Sequence, residues 1–199
     1  MDYSKLSDIQ LDALREICNI GSGNSATALS QLLNRKIDMS VPSVNIVPYE
    51  NVVNAIEAEQ VAVGVIVRVL GEAPGNILLV FTEQTAFEII KNLTGLDEKG
   101  LTEMGSSVMC EIGNIVSSAY MNAISQVTNF LLMPSVPAVS YDLLGAIIST
   151  TFIESGQYEE SVLDLETQFI QDDSEMNGHF YYVPQPGSLE KILNTLGIN

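Results

Sequence analysis

Two stretches, "DALREICNIGSGN" from Asp12 and "SVMCEIGNIVSSA" from Ser107, carry one pattern, and that repeat limits the possible folds more than any other feature of the chain. Each places Glu four residues on, Asn three residues after the Glu, and Pro 23 residues beyond the Asn. Adding 95 to a position carries Glu16 to Glu111, Asn19 to Asn114 and Pro42 to Pro137. The same shift takes Ile17 to Ile112, Ile20 to Ile115, Ser22 to Ser117, Ala28 to Ala123, Ser30 to Ser125 and Val44 to Val139. At ordinary usage of roughly one in twenty per position, three identities at one preset offset arise on the order of once in ten thousand tries. The chain is therefore read as a duplication, with halves at about 4–96 and 99–199.

The order of elements agrees with that reading. Residues 4–34 have apolar residues at helical spacing (Leu6, Ala13, Leu14, Ile17, then Ala26, Leu29, Leu32, Leu33). Within them "NIGSGN" marks either a break near Gly21 and Gly23 or a close approach by another backbone. After Pro42, "SVNIV" reads as a strand and "NVVNAIEA" as a short helix; "VAVGVIVRVL" and "NILLVF" read as strands joined by the turn "GEAPGN". "EQTAFEIIKNLTGL" closes the half as an amphipathic helix ending near Gly95. The second half predicts a helix over roughly 100–130, then strands at "AVSYD", "GAIISTTFI", "SVLDLETQFI" and "HFYYV", and a closing helix at "GSLEKILNTLG". The linker "LDEKG" is short, so one α+β domain over 1–199 is expected, with a pseudo-two-fold axis. A single, mostly antiparallel sheet would unite both halves, flanked by the long motif-bearing helices. Pro42 and Pro137 are read as structural, ending the connection from helix to strand.

The chain has 199 residues, 46% of them hydrophobic, which is ample for a packed core. Its formal charge of −17 repels a phosphate backbone, which argues against nucleic acid and anionic membrane as partners. "MDYSKLSDIQ" has no basic start or apolar run, and no stretch reaches the roughly 18 apolar residues of a membrane span, so a cytoplasmic protein is expected. Cys18 and Cys110 are not in a metal-spaced group and read as structural thiols.

On a helix, Asp12, Glu16 and Asn19 stand at i, i+4 and i+7, within a stripe of roughly 60°. Leu14 and Ile17 point the other way. Ser107, Glu111 and Asn114 form the matching stripe, opposite Met109 and Ile112. An acidic, amide-bearing face is commonly only a solvated surface, and a second alternative is that the Asn side chains cap a helix break before "IGSG". Duplication counts against the first of these, because a solvated surface need not keep Glu and Asn in register while Arg15 and Cys110 diverge. For most enzymes the pair is incomplete: an amide neither gains nor loses protons near neutral pH, and glycoside chemistry requires a second acid. His179, the only histidine, reads as a strand residue, and "GSGN" lacks the Lys and spacing of a phosphate-binding loop. An amide can both donate to and accept from a water, while a neighbouring carboxylate suits a lysine. Together they fit the completion of an active site that another protein brings.

The double pattern of Asp or Ser, Glu, Asn and Pro, as Asp12, Glu16, Asn19, Pro42 and as Ser107, Glu111, Asn114, Pro137, resembles the signature of the CheC/CheX/FliY family of chemotaxis CheY-P phosphatases. The resemblance covers essentially the whole chain. It implies hydrolysis of the aspartyl phosphate of CheY, with the motif helix inserted against the receiver's acyl-phosphate site. Asn19 and Asn114 would position the attacking water, and Glu16 and Glu111 would pair with the receiver's lysine. No cofactor is implied for this chain, since Mg²⁺ is expected on the response-regulator partner. The resemblance also implies a second partner, the receptor deamidase CheD. Residues 151–178, with eight acids and no Lys or Arg, would suit an electrostatic docking surface, or a hairpin edge protected by charge. The rival function is an adaptor that binds CheD or flagellar switch proteins with little turnover.

Overall fold

The computed structural model describes residues 6–34, 36–48, 59–97, 99–154, 161–171 and 174–198. Five helices lie among them: α1 (Asp8–Leu33), α2 (Glu83–Thr94), α3 (Glu103–Thr128), α4 (Leu144–Glu154) and α5 (Ser188–Thr195). The strands are β1 (Ile37–Pro48), β2 (Val61–Gly71), β3 (Gly75–Thr82), β4 (Leu132–Pro134), β5 (Ala138–Leu143), β6 (Ser161–Gln171) and β7 (Ser174–Pro184).

The duplication reaches the helix ends. Both α1 and α3 have 26 residues, and their first and last residues differ by the same offset as the motifs. Each starts at a hydroxyl cap: Ser7 Oγ accepts from the Gln10 N–H, and Thr102 Oγ from the Gly105 N–H. Such a cap satisfies one of the free donors of the first turn. Each ends at an asparagine in the left-handed region, Asn34 at φ 49° and Asn129 at φ 59°. These are the only non-glycine residues with positive φ among the described residues, and a short polar side chain tolerates that conformation best after glycine.

The strands form one sheet in the order β1-β6-β7-β3-β2-β4, with β5 also paired to β2. Every pairing is antiparallel. From one edge the order β1-β6-β7 mirrors β5-β2-β3 from the other: a single strand flanks a hairpin in each case. The two hairpins meet where β3 pairs β7, which puts the pseudo-two-fold axis between those strands. The first half cannot form this sheet alone, because β6 and β7 of the second half separate β1 from β2 and β3.

Alternation along β3 shows where the core sits. Ile77, Leu79 and Phe81 join Val63, Val65 and Val67 of β2 beneath α1, α2, α3 and α5. Leu78 and Val80 face the opposite side, with Ala62, Tyr181 and Val183, and meet Leu144, Ile147 and Ile148 of α4. A strand covered on both faces has no polar side to offer, which accounts for the unbroken apolar run "ILLVF" from Ile77 to Phe81.

Two expectations need correction, and one open alternative is decided. "GAIISTTFI" is not a strand: it forms most of α4, burying Leu144, Ile147, Ile148 and Thr151 at a spacing of three and four on the second face of the sheet. Its β-branched residues favour a strand locally, but that uncovered face needs a helix, and packing outweighs propensity. Pro42 does not end a connection; it lies inside β1, which begins at Ile37, at the register shift between Ser40 and Ser43. A proline supplies no N–H to the ladder, so a bulge on this edge strand is where it fits. Nor does α1 break at Gly21. The missing side chain makes room for Tyr120 of α3: a Cβ on Gly21 would lie 2.8 Å from Tyr120 Cδ1, and that ring is stacked on Phe180 at 4.1 Å. β4 was not expected, and the helix read in "NVVNAIEA" lies outside the described residues.

Candidate active site

α1 and α3 each bury one side and expose the other. On α1, Leu14 and Ile17 are 5% exposed and Cys18 4%, while Asp12, Glu16 and Asn19 face solvent. On α3, Met109 and Ile112 are buried, and Ser107, Glu111 and Asn114 face solvent. Glu and Asn stand three apart on each helix, so their Cβ atoms lie about 5–6 Å apart. With the helix continuous through "NIGSGN", no break remains for Asn19 to cap.

Behind each asparagine the local bonding repeats. Ser22 Oγ donates to the Asn19 carbonyl at 3.0 Å, and Ser117 Oγ to the Asn114 carbonyl at 3.3 Å. The front of the stripe differs: Arg15 Nη1 donates to Asp12 Oδ1 at 2.8 Å, whereas Ser107 Oγ bonds back to the Glu103 carbonyl at 2.9 Å.

The stripe on α3 also forms one wall of an open groove. Ser106, Ser107, Cys110, Glu111 and Asn114 face Pro134 at the end of β4 and Ser135, Val136 and Pro137 of the segment joining β4 to β5. Pro137 stands immediately before β5, on the connection from β4 and not directly after the helix. Gly113 lets the helix lie against the sheet, because a Cβ there would be 2.4 Å from Val65 Cγ1. Reading the motif residues alone missed Ser135 and Val136, although the offset contained the signal. Ser40-Val41-Pro42 recurs as Ser135-Val136-Pro137.

Burial pushes the Cys18 thiol up to about 12, and raises that of the partly exposed Cys110 as well. Neither thiol is thereby primed as a nucleophile. His179 lies in β7, paired with Val80 of β3. Among the described residues no group of three or more His, Cys, Asp or Glu side chains is placed to hold a metal ion. No described helix is long and apolar enough to cross a membrane.

The profile of the CheC-like family matches residues 9–46 and 104–141. These windows are again 95 apart, the first running from α1 into β1 and the second from α3 through β4 into β5. Over 203 aligned residues the chain is 34% identical to the CheY-P phosphatase CheC of Bacillus subtilis (strain 168), an alignment spanning 98% of this chain and 97% of that protein. The chain belongs to the CheC-like family. Another relative, the flagellar motor switch phosphatase FliY of the same organism, is 38% identical over 125 residues, 63% of this chain and 31% of that one. The crystal structure of Thermotoga maritima FliY superimposes with a TM-score of 0.80 at 23% identity, covering 97% of this chain and 98% of that one. The likeness establishes a shared CheC-like fold of helices on an antiparallel sheet.

Proposed function

We propose that this chain is a chemotaxis phosphatase that hydrolyses the aspartyl phosphate of phosphorylated CheY, using the solvent-facing stripes of α1 and α3 as two active sites. The observation that carries this reading is the duplicated pair of Glu and Asn, exposed at one register on two equivalent helices whose other sides are buried. The full-length likeness to a CheY-P phosphatase supports the same substrate. In each site the Asn19 or Asn114 carboxamide holds a water in line with phosphorus. The oxygen of that water bonds to phosphorus as the bond from phosphorus to the aspartyl oxygen breaks, releasing the aspartate carboxylate and inorganic phosphate that keeps the water's protons. Glu16 or Glu111 docks the receiver through its lysine, and the receiver brings its own Mg²⁺.

Energetics favour this division of labour. Phosphoryl transfer depends mainly on positioning and charge stabilisation. An acyl phosphate is already labile, so a hundredfold gain needs about 2.7 kcal/mol. One well-placed amide is enough for that. A bare carboxylate as general base would be repelled by the anionic phosphoryl group, which is why Glu is given the docking role.

Decay of phosphorylated CheY, followed with and without the protein, is the test. Asn19→Ala combined with Asn114→Ala should abolish the acceleration with the melting temperature unchanged. Undiminished acceleration in the double variant would remove the water-positioning role, and no acceleration by the unaltered chain would favour the adaptor. Binding of CheD is also proposed, from the family resemblance, and a calorimetric titration of the two proteins decides it. The acidic segment 151–178 is described only in part, with the backbone of 161–171 and 174–178 inside the β6–β7 hairpin.

A further inference from the structure

The most exposed large hydrophobic among the described residues is Val136, at 89%. It lines the groove that also holds Ser107, Glu111 and Asn114. A single exposed apolar side chain is ordinary, but Val136 is held where it stands. The preceding Ser135 is bonded twice to β2: its N–H donates to the Arg68 carbonyl and its Oγ accepts from the Arg68 N–H, each at 2.9 Å. On the other side the Cys110 thiol of α3 donates to the Pro137 carbonyl at 3.7 Å. Pro134 and Pro137 further restrict the segment on either side of Val136. The valine is thus presented by a loop tied both to the sheet and to the motif helix.

Repetition adds a separate argument. Val136 follows Asn114 by 22 residues, as Val41 follows Asn19, inside the repeated Ser-Val-Pro triplet. Most residues between these points differ between the halves. A valine kept for core packing would be buried, and Val136 is not.

Building on the proposed phosphatase sites, we infer that Val136 is a docking residue of the second site: it buries itself against the phosphorylated receiver as that partner settles over Glu111 and Asn114. Its contribution is to affinity, because an aliphatic side chain neither donates to nor accepts from an attacking water. Pre-anchoring of the loop means that little order has to be imposed when the partner arrives.

The test uses the Asn19→Ala chain, in which turnover reports the second site alone. Adding Val136→Ser should raise the half-saturating concentration of phosphorylated CheY about tenfold, the scale expected for losing one buried valine contact, and leave the saturated rate unchanged. Val136→Ile should stay within about twofold of the parent. An unchanged half-saturating concentration in the serine variant overturns the inference but leaves the phosphatase reading standing. So does a fall in the saturated rate alone, since Val136 would then be acting on the helix. If the Asn19→Ala parent shows no turnover, it is the catalytic reading of the second site that fails. Binding of beryllium-fluoride-loaded CheY to Glu16→Ala and Glu16→Ala/Val136→Ser chains then decides about Val136 separately. A tenfold weaker complex with serine supports the docking role and equal binding refutes it.

Discussion

Gly113 is where packing and chemistry touch, and replacing it with alanine has a calculable effect. The new methyl would lie 2.4 Å from Val65 Cγ1 and 3.3 Å from Val65 Cβ, against a comfortable carbon–carbon separation of about 3.5–4.0 Å. Val65 has no room to retreat. It is fully buried, its strand is paired on both sides to Leu79 and Val139, and a β-branched side chain has few rotamers to try. The helix must therefore lift by about 1 Å to restore contact distance. Overpacking of this kind costs about 1–3 kcal/mol, and an overlap this deep belongs near the upper end. Alanine's better helix propensity returns about 1 kcal/mol. The net loss of about 1–2 kcal/mol corresponds to a fall in melting temperature of about 2–8 °C at this chain length.

A catalytic loss should accompany it, because Asn114 is the next residue. A 1 Å misplacement can cost on the order of a hundredfold in rate, so second-site turnover, read in an Asn19→Ala background, should collapse well before the fold does. Val65→Ala supplies the control. It deletes both Cγ methyls, the clashing Cγ1 among them, so the double variant gains one methyl on the helix for two lost from the strand and relieves the overlap. Singly, Val65→Ala should cost about 2 kcal/mol through its lost methyls and the cavity they leave. In the double variant the two losses should fall short of their sum by about 1–3 kcal/mol, as neighbouring groups do when they share one space. Thermal melts and decay of phosphorylated CheY on the four chains complete the cycle. A Gly113→Ala chain that melts as high as the parent, or a double variant whose losses simply add, refutes this account of how the helix is seated.

The two thiols should separate cleanly: at pH 8 a disulfide-exchange reagent is expected to modify Cys110 in the folded protein, and Cys18, 4% exposed, only after denaturant is added. Simultaneous modification of both would contradict the buried placement of Cys18. Below pH 9 that thiol is protonated in both states; between pH 9 and about 12 the unfolded chain loses the proton while the folded one keeps it. The folded state then binds more protons, so stability should decline as pH rises through that window, and urea midpoints of Cys18→Ala should decline less steeply. At the helix ends, Asn34→Ala and Asn129→Ala should each cost about 1 kcal/mol, because alanine tolerates positive φ poorly. Asn→Gly at the same places should cost nothing or stabilise; equal melting of the Ala and Gly variants would show that the left-handed caps do not matter.

Much of the architecture was legible because the repeat and the hydrophobic period point the same way. Leu14 and Ile17 behind Glu16, and Met109 and Ile112 behind Glu111, are fixed by helical spacing alone, so the exposure of the two stripes could be read before any coordinates. Reading "GAIISTTFI" by its β-branched content failed because propensity does not know which face of a sheet is uncovered. The repeat held a better clue: subtracting 95 from Ala146–Ile153 lands on 51–58, the stretch read as a helix in the first half. Gly21 was ambiguous for a similar reason. A missing side chain looks the same in sequence whether it permits a kink or admits a neighbour, and only Tyr120, 99 residues away, distinguishes the two. Pro42 sits inside a strand because a bulge absorbs its missing donor, a register effect that depends on β6 and cannot be read from β1. The groove beside α3 needed the Ser-Val-Pro repeat, whose significance appears only once Val136 is seen on the surface.

The places where the halves differ are as informative as those where they agree. Asp12 in the first stripe becomes Ser107 in the second, an apparent loss of charge beside Glu111. One helical turn on, however, Arg15 becomes Cys110, and the structure joins Asp12 to Arg15 in an ion pair. The two changes compensate: positions 12, 15, 16 and 19 carry one net negative charge, and so do 107, 110, 111 and 114. An exposed pair of this kind contributes little stability, so its value lies in the charge it hides. On the proposed function, a phosphorylated receiver approaching either face would meet the field of one Glu, with the amide three residues further on. A second uncompensated carboxylate would oppose that approach at short range. Duplicated faces on an acidic protein can thus diverge in composition, provided that divergence occurs in charge-neutral pairs.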